Sequence, residues 1–111
     1  MAQHRDVSFL ASAARAASAD SAIHDTYGMV SGIVYLSVTA CAGGSDTLDV
    51  KIQDSPDGTT WYDNVAFTQA AAATTEKKAL VAPFGRYLKA VAVNGTGATA
   101  TFSVLATLKD A

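Results

Sequence analysis

The chain has 111 residues, of which 50% are hydrophobic and 16% are charged, and its formal net charge is -2. This length allows one domain with a thin core, and the hydrophobic content excludes a fully disordered chain. Acidic and basic residues are mixed along the sequence, so no nucleic-acid partner is expected, and no apolar run is long enough to indicate a membrane span.

The first thirty residues differ in composition from the rest. Residues 11–22 are almost entirely Ala and Ser, and they lack large apolar side chains at helical spacing. We predict an extended N-terminal arm over residues 1–30, with one or two short strands of which 7–12 is the best candidate. A short helix is the alternative. An antiparallel β domain is predicted over residues 31–111.

Clear period-two alternation begins after Gly32. Every second residue from Val34 to Ala40 is apolar, and the same holds from Leu48 to Ile52. This spacing is typical of half-buried strands. We expect the two strands to form an antiparallel hairpin with one wet face, joined by a flexible Gly-rich turn at residues 42–46.

A second turn is predicted directly after this pair. Its residues are Ser55, Pro56, Asp57 and Gly58. Pro56 presets φ at the second turn position, and Gly58 accepts a positive φ. Extended structure then resumes, and Trp61 is expected to anchor the core rather than to stack against a sugar. The residues expected on its face of the strand are Trp61, Val65 and Phe67.

The remaining sequence predicts three further strands. The low-complexity run at 70–75 reads as an exposed loop before a strand near 78–82, and residues 83–85 form a corner. Residues 86–93 are apolar on both faces, which favours a central strand or a protein contact. Asn94-Gly95 indicates a hairpin turn. The last strand, near 98–107, turns four residues inward, namely Ala100, Phe102, Val104 and Ala106.

These six to eight short strands predict an all-β fold, either an antiparallel β-sandwich or a small jelly-roll-like barrel with the extended N-terminal arm. Catalytic and metal-binding patterns are missing from the sequence. Adjacent strand residues such as His24 and Asp25 face opposite sides, and Cys41 is the single cysteine. We therefore predict a non-enzymatic protein without cofactor or metal. The acidic residues that lack calcium-loop spacing are Asp46, Asp49, Asp54 and Asp57.

Three segments resemble small structural proteins of tailed bacteriophages. They are TLDVKIQDSPDGTTWYDNVAF at 47–67, APFGRYLKAVAV at 82–93 and ATFSVLATL at 100–108. The resemblance covers about the last two-thirds of the chain. It implies a capsid decoration or cement protein that binds and stabilises the shell of major capsid protein. Such a protein would be made in the host bacterial cytoplasm, lie on the capsid surface of the virion, and form a homo-oligomer, with a trimer as one possibility.

If this resemblance holds, shell contacts are expected from the arm and from outward aromatic residues. The candidate contact residues are Phe9, Leu10, Arg15, Tyr35 and Tyr87. Removal of residues 1–20 would then weaken binding and leave the β domain folded.

Two alternatives stay open. One is another virion component, such as a head–tail connector or a tail or head-fibre accessory. The other is a carbohydrate-binding β-sandwich, because residues 55–61 resemble the hairpin of discoidin-like modules. The scattered aromatic candidates for that role are Tyr27, Tyr35, Tyr62 and Tyr87.

Overall fold

The fold is described from a computed structural model over residues 4–26, 28–42 and 47–110. Within these ranges the chain forms nine strands and no helix. The strands are β1 His4–Arg15, β2 Ala19–Asp20, β3 His24–Asp25, β4 Met29–Ala42, β5 Leu48–Ser55, β6 Tyr62–Ala66, β7 Thr74–Ala79, β8 Tyr87–Asn94 and β9 Thr99–Asp110.

Two antiparallel sheets pack face to face. The first has the order β1-β9-β4-β7, and the second has the order β2-β8-β5-β6, with β3 also paired to β8. Buried side chains from both sheets form one core between them. This arrangement confirms the predicted antiparallel β-sandwich.

The core follows the alternation expected from the sequence on most strands. The largest fully buried side chains include Phe102, Leu36, Leu48, Ile52 and Leu88. Ala40 departs from the prediction because the register of β4 shifts after Val38, which turns Ala40 outward. A bulge of this kind moves the following residues to the opposite face.

The N-terminal segment is extended, as predicted, but it belongs to the sandwich. β1 pairs with β9 from His4 to Arg15, while β2 and β3 pair with β8. Register shifts on both sides of Leu10 let Phe9 and Leu10 turn inward together. The exposure expected for these two residues was therefore wrong, and residues 4–26 do not lie apart from the rest as an arm.

Two predicted hairpins are also corrected. β4 pairs with β9 and β7, whereas β5 pairs with β8 and β6, so β4 and β5 lie in opposite sheets. Most of the turn predicted between them, residues 43–46, lies outside the described residues. The turn at Gly95 exists, since the Ala98 N–H donates to the Gly95 carbonyl at 2.9 Å. It likewise connects strands of different sheets, β8 and β9.

The strand expected near 78–82 lies earlier, at β7. Ala70 is buried and pairs with Leu48, so only part of the run at 70–75 is an exposed loop. Glu76 accepts hydrogen bonds from Thr68 N–H at 2.8 Å and from Thr68 Oγ1 at 3.1 Å. Charged residues on β7 suit an edge strand, because they disfavour pairing with further strands.

Candidate functional site

One end of the sandwich, which we call the turn end, gathers the turn at 55–58 and the corner at 82–86. The first sheet reaches this end where His4 of β1 pairs with Lys109 of β9. Arg5 Nη1 then joins the two sheets by donating to the Asp25 carbonyl at 2.7 Å. The strand pairs of the second sheet at this end are Tyr87 with Ser55 and Tyr87 with Asp25.

The turn at 55–58 is held by its own side chains. Buried Ser55 Oγ accepts the N–H groups of Asp57 at 3.2 Å and Gly58 at 2.8 Å. Asp57 Oδ1 accepts the N–H groups of Thr59 and Thr60, each at 2.9 Å. These bonds hold the pKa of the Asp57 carboxyl well below its ordinary value. Gly58 has a φ of 82°, as predicted for this position.

The turn and the corner form one contact unit. The Gly85 N–H donates to Asp54 Oδ2 at 2.6 Å. A Cβ atom at Gly85 would lie 2.6 Å from the Ser55 carbonyl oxygen, so only glycine fits this approach. The Tyr87 ring lies over Gly58, where a Cβ would be 3.7 Å from the ring. The segments SPDGTTW and FGRYLKA, far apart in sequence, therefore support each other.

An ion pair fixes β3 beside this unit. Arg86 Nη2 lies 2.9 Å from Asp25 Oδ2, and the Arg86 guanidinium carbon lies 5.2 Å from the centroid of the Tyr87 ring. The Thr26 N–H donates to the Arg86 carbonyl at 2.7 Å. These contacts hold the short strand β3 against β8, with which it forms only two residue pairs.

His24 lies just inside the turn end. Its ring meets the Phe9 ring edge to face, with the centroids 5.1 Å apart. Burial, and then the nearby charge of Arg5, lower the pKa of His24. Its Nε2 is buried and has no hydrogen-bond partner among the described residues. The neutral imidazole is therefore the form that suits this position.

Large hydrophobic side chains are exposed at or beside the turn end. Tyr62 and Val81 are each 59% exposed, Ile23 is 52% exposed and Val30 is 44% exposed. Asn64 links the loop after β7 to β6, since its Oδ1 accepts the Val81 N–H at 2.8 Å. Tyr62 and Val81 lie at the edge formed by β6 and the end of β7, whereas Ile23 lies beside β3 at the opposite edge. Exposed apolar side chains with polar surroundings are typical of protein docking sites.

Trp61 does not anchor the core. The register between β5 and β6 shifts so that Ile52 faces Val65 but Gln53 faces Asp63, which places Trp61 on the outer side of the second sheet. The indole is half-buried, and Lys89 Nζ lies 4.7 Å from its ring centroid. The expected common face of Trp61, Val65 and Phe67 is therefore wrong.

The five predicted contact residues are not brought together. Phe9 and Leu10 are in the core, and Arg15 lies at the end opposite the turn end. Tyr35 is 41% exposed on the outer side of the first sheet, whereas Tyr87 is half-buried at the turn end. Tyr27 lies outside the described residues. Sequence reasoning missed Ile23, Val30 and Val81, although each is an apolar residue beside a strand terminus or a break in alternation.

Among residues 4–26, 28–42 and 47–110, no group of three or more His, Cys, Asp or Glu side chains is placed to hold a metal ion. The same part of the chain contains no helix of the length and apolarity required to cross a membrane.

No family model matches the sequence, and no curated protein matches it. Solved structures do share its fold. The PBSX exported protein XepA has a TM-score of 0.62 at 18% identity, and the match covers 97% of this chain and 36% of XepA. The SPBc2 prophage-derived protein YomS has a TM-score of 0.57 at 11% identity, covering 99% of this chain and 96% of YomS. The structure of Bacillus endospore appendages, a family of disulfide-linked pili, has a TM-score of 0.60 at 12% identity, and the match covers 99% of this chain and 86% of that one. The chain thus spans about a third of XepA and nearly all of YomS, and it shares with these proteins the same β-sandwich fold.

Proposed function

We propose that this chain is a non-enzymatic structural protein of a tailed-bacteriophage virion, that it decorates the capsid, and that it contacts the major capsid protein through the turn end. The observation that carries the proposal is the combination at one end of the molecule of a rigid turn-and-corner unit and exposed hydrophobic side chains. The prophage-derived origin of YomS, which has the same fold over nearly its whole length, supports the virion setting.

The chemistry of the turn end suits a docking role. Its backbone is held by internal hydrogen bonds and by the close approach of Gly85 to Ser55, so little conformational entropy is lost when a partner binds. Tyr62 and Val81 provide apolar area, and the ion pair between Arg86 and Asp25 lies at the polar rim. A shell-binding protein needs such a surface and requires no catalytic group.

The copy number of the chain in virions tests this function. Particles purified from the phage or induced lysogen that encodes the chain are analysed by quantitative mass spectrometry against the major capsid protein. We expect a ratio near one or a simple fraction such as one third. A few copies per particle would instead indicate a connector, tail or head-fibre component, and absence from particles would contradict a virion role.

The turn end is tested separately by substitution. Val81→Glu and Tyr62→Glu place a charge on its exposed hydrophobic side chains, and we expect either change to lower occupancy on shells at least tenfold. Val93→Glu is the matched control, because Val93 is 46% exposed on the outer side of the second sheet. Equal occupancy for all three variants would contradict docking through the turn end while leaving the copy-number result intact.

Trp61 provides the specific observation behind the carbohydrate-binding alternative. One approach to its ring is taken by Lys89, whose ammonium group also lies 3.2 Å from Asp20 Oδ2. A sugar that stacked there would have to displace this paired cation. We therefore expect no signal on a glycan array, and specific binding that is lost in Trp61→Ala would favour the alternative.

A further inference from the structure

The outer side of the first sheet carries a second apolar surface, which we call the Tyr35 face. Its centre consists of Tyr35 on β4 and Leu105 on β9, which are direct cross-strand partners and are 41% and 45% exposed. Ile33, two residues along β4, is 39% exposed and extends the same surface. Its polar borders are Asp6 on β1 and Lys77 on β7, at opposite edges of the sheet.

The Tyr35 side chain projects between shallow hollows. One hollow lies on the side of β1 and β9 and is lined by Asp6, Ser8, Leu105 and Thr107. Another lies on the side of β7 and is lined by Ser37, Thr75 and Lys77. The surface thus has both a projecting aromatic ring and a depression with a mixed apolar and polar lining. In protein interfaces, a side chain that projects from one partner commonly inserts into a pocket of the other.

We propose that the Tyr35 face binds a second copy of this chain, related by a twofold axis that runs parallel to the strands between β9 and β4. This rotation places β9 of one copy over β4 of the other, and β1 over β7. Leu105 then faces Tyr35 of the second copy, and each Tyr35 ring enters the hollow beside β1 and β9. Both apolar centres are covered by a self-complementary contact, as a twofold interface requires.

The charges at the borders agree with this orientation. The rotation places the β1 edge, which carries Asp6, over the β7 edge of the second copy, which carries Lys77. The two Lys77 side chains stay on opposite edges, about 14 Å apart for three strand spacings of ~4.8 Å. Asp6 of one copy is therefore brought near Lys77 of the other and the two Lys77 side chains are kept apart, while the two Lys109 side chains at the end of β9 lie about one strand spacing from each other across the axis.

The size of the face is also sufficient. Strands β1, β9, β4 and β7 contain 12, 12, 14 and 6 residues, which at about 3.3 Å per residue and ~4.8 Å between strands give a face of about 700 Å². Stable interfaces of standard size bury about 600–1,000 Å² on each partner, so the contact has to cover nearly the whole face. The inference goes beyond the proposed function and does not depend on it.

The test uses the full chain in solution. Sedimentation equilibrium and light scattering over a range of concentrations should give the mass of two chains at micromolar concentration. We expect Leu105→Glu and Tyr35→Ser each to raise the dissociation constant at least 100-fold. Val93→Glu is the control, because Val93 is exposed to the same extent as Leu105 but lies on the other sheet, and it should remain dimeric.

Several outcomes would overturn the proposal. They are a monomeric wild-type chain at high micromolar concentration, a trimer, and a dimer that Val93→Glu dissociates but Leu105→Glu does not. Circular dichroism of each variant establishes that it is folded. Two substitutions on different strands guard against the misfolding of either one, and a dimer found in solution but absent from virions would contradict only the proposed function.

Discussion

Asp57 makes the turn at 55–58 sensitive to acid. Its carboxylate accepts two main-chain N–H groups, and its pKa in the folded chain lies below the ordinary value of 3.8. The folded chain therefore keeps the charge at pH values at which the unfolded chain is already protonated. The resulting stabilisation is complete above this ordinary value and is lost as the pH falls below it.

Asp57→Asn isolates this charge, because asparagine retains an oxygen acceptor. We expect wild type to have the higher thermal midpoint at pH 7 and the difference to shrink between about pH 4 and pH 2. Thermal denaturation followed by circular dichroism across this range measures the difference. A constant difference at every pH would show that the charge is not the cause.

His24 produces a separate dependence at higher pH. Its pKa is lowered in the folded chain, so the unfolded chain binds the proton first as the pH falls below the ordinary value of 6.5. We expect wild type to lose stability between about pH 7 and pH 5, and His24→Gln to lose less. NMR titration of the imidazole gives a direct check, and an ordinary pKa would contradict the expectation.

At the scale of elements, Gly85 decides how closely the corner meets the turn. Gly85→Ala would place a methyl carbon against the Ser55 carbonyl, and overpacking of this kind costs about 1–3 kcal/mol. Gly28→Ala is the control, because Gly28 has a φ of 85° but open space around it. Alanine in this left-handed conformation costs about 1–2 kcal/mol without any overpacking. Urea denaturation compares the two, and a Gly85→Ala protein as stable as wild type would contradict the tight approach.

Arg15 stabilises the irregular part of β1. Its guanidinium donates to the carbonyl oxygens of Ala11 at 2.7 Å and Phe102 at 3.1 Å, and it lies 4.8 Å from the Phe102 ring centroid. We expect Arg15→Ala to lower the free energy of unfolding by about 0.5–1.5 kcal/mol, since the partly buried Phe102 carbonyl loses its donor whereas the exposed Ala11 carbonyl can bind water. Lys77→Ala, on an exposed edge, should have little effect in the same urea titration. An unchanged midpoint for Arg15→Ala would indicate that water replaces the guanidinium.

Local signals predicted the strands better than their partners. The inward faces of β5 and β9 and the turn at 55–58 follow directly from residue spacing and from the conformations of Pro56 and Gly58. Two strands have the same alternation of apolar and polar residues whether they pair in a hairpin or lie in two facing sheets. The sequence alone therefore could not place β4 and β5 in different sheets. The sequence did not predict the one-residue bulges either. The bulge in β4 turns Ala40 outward, and the bulge between β5 and β6 places Trp61 on the outer side of the second sheet.

The candidate site was less accessible to sequence reasoning than the fold. The exposure of a side chain depends on whether its strand lies at the edge of a sheet. The position of a strand in its sheet depends in turn on pairing between residues that are far apart in the sequence. Phe9 and Leu10 are apolar and lie in a segment poor in other large side chains, which made them resemble docking residues. The structure uses the same property to complete the core, because β1 is the only described partner of β9 on that side.

At the scale of the whole molecule, β1 is required for a complete sandwich. Its removal would uncover β9 and delete Val7, Phe9 and Leu10 from the core. We expect a chain that lacks residues 4–15 to show no cooperative unfolding transition. Phe9→Ala should lower stability by about 3–5 kcal/mol, whereas Ser8→Ala, on the exposed side, should change it little. A truncated chain that unfolds cooperatively near the wild-type midpoint would restore the interpretation of a separate arm.

The pairing of His4 with Lys109 has a practical consequence for fusion proteins. Both ends of the described chain leave the first sheet at the turn end, on β1 and β9, so a tag or a neighbouring domain attached to either one emerges at that end of the sandwich. Foreign sequences intended for display are better inserted at the turn around Gly95–Gly97, at the opposite end. A circular permutant that joins the two ends by a short linker and opens at that turn would leave only this linker, and no tag, at the turn end.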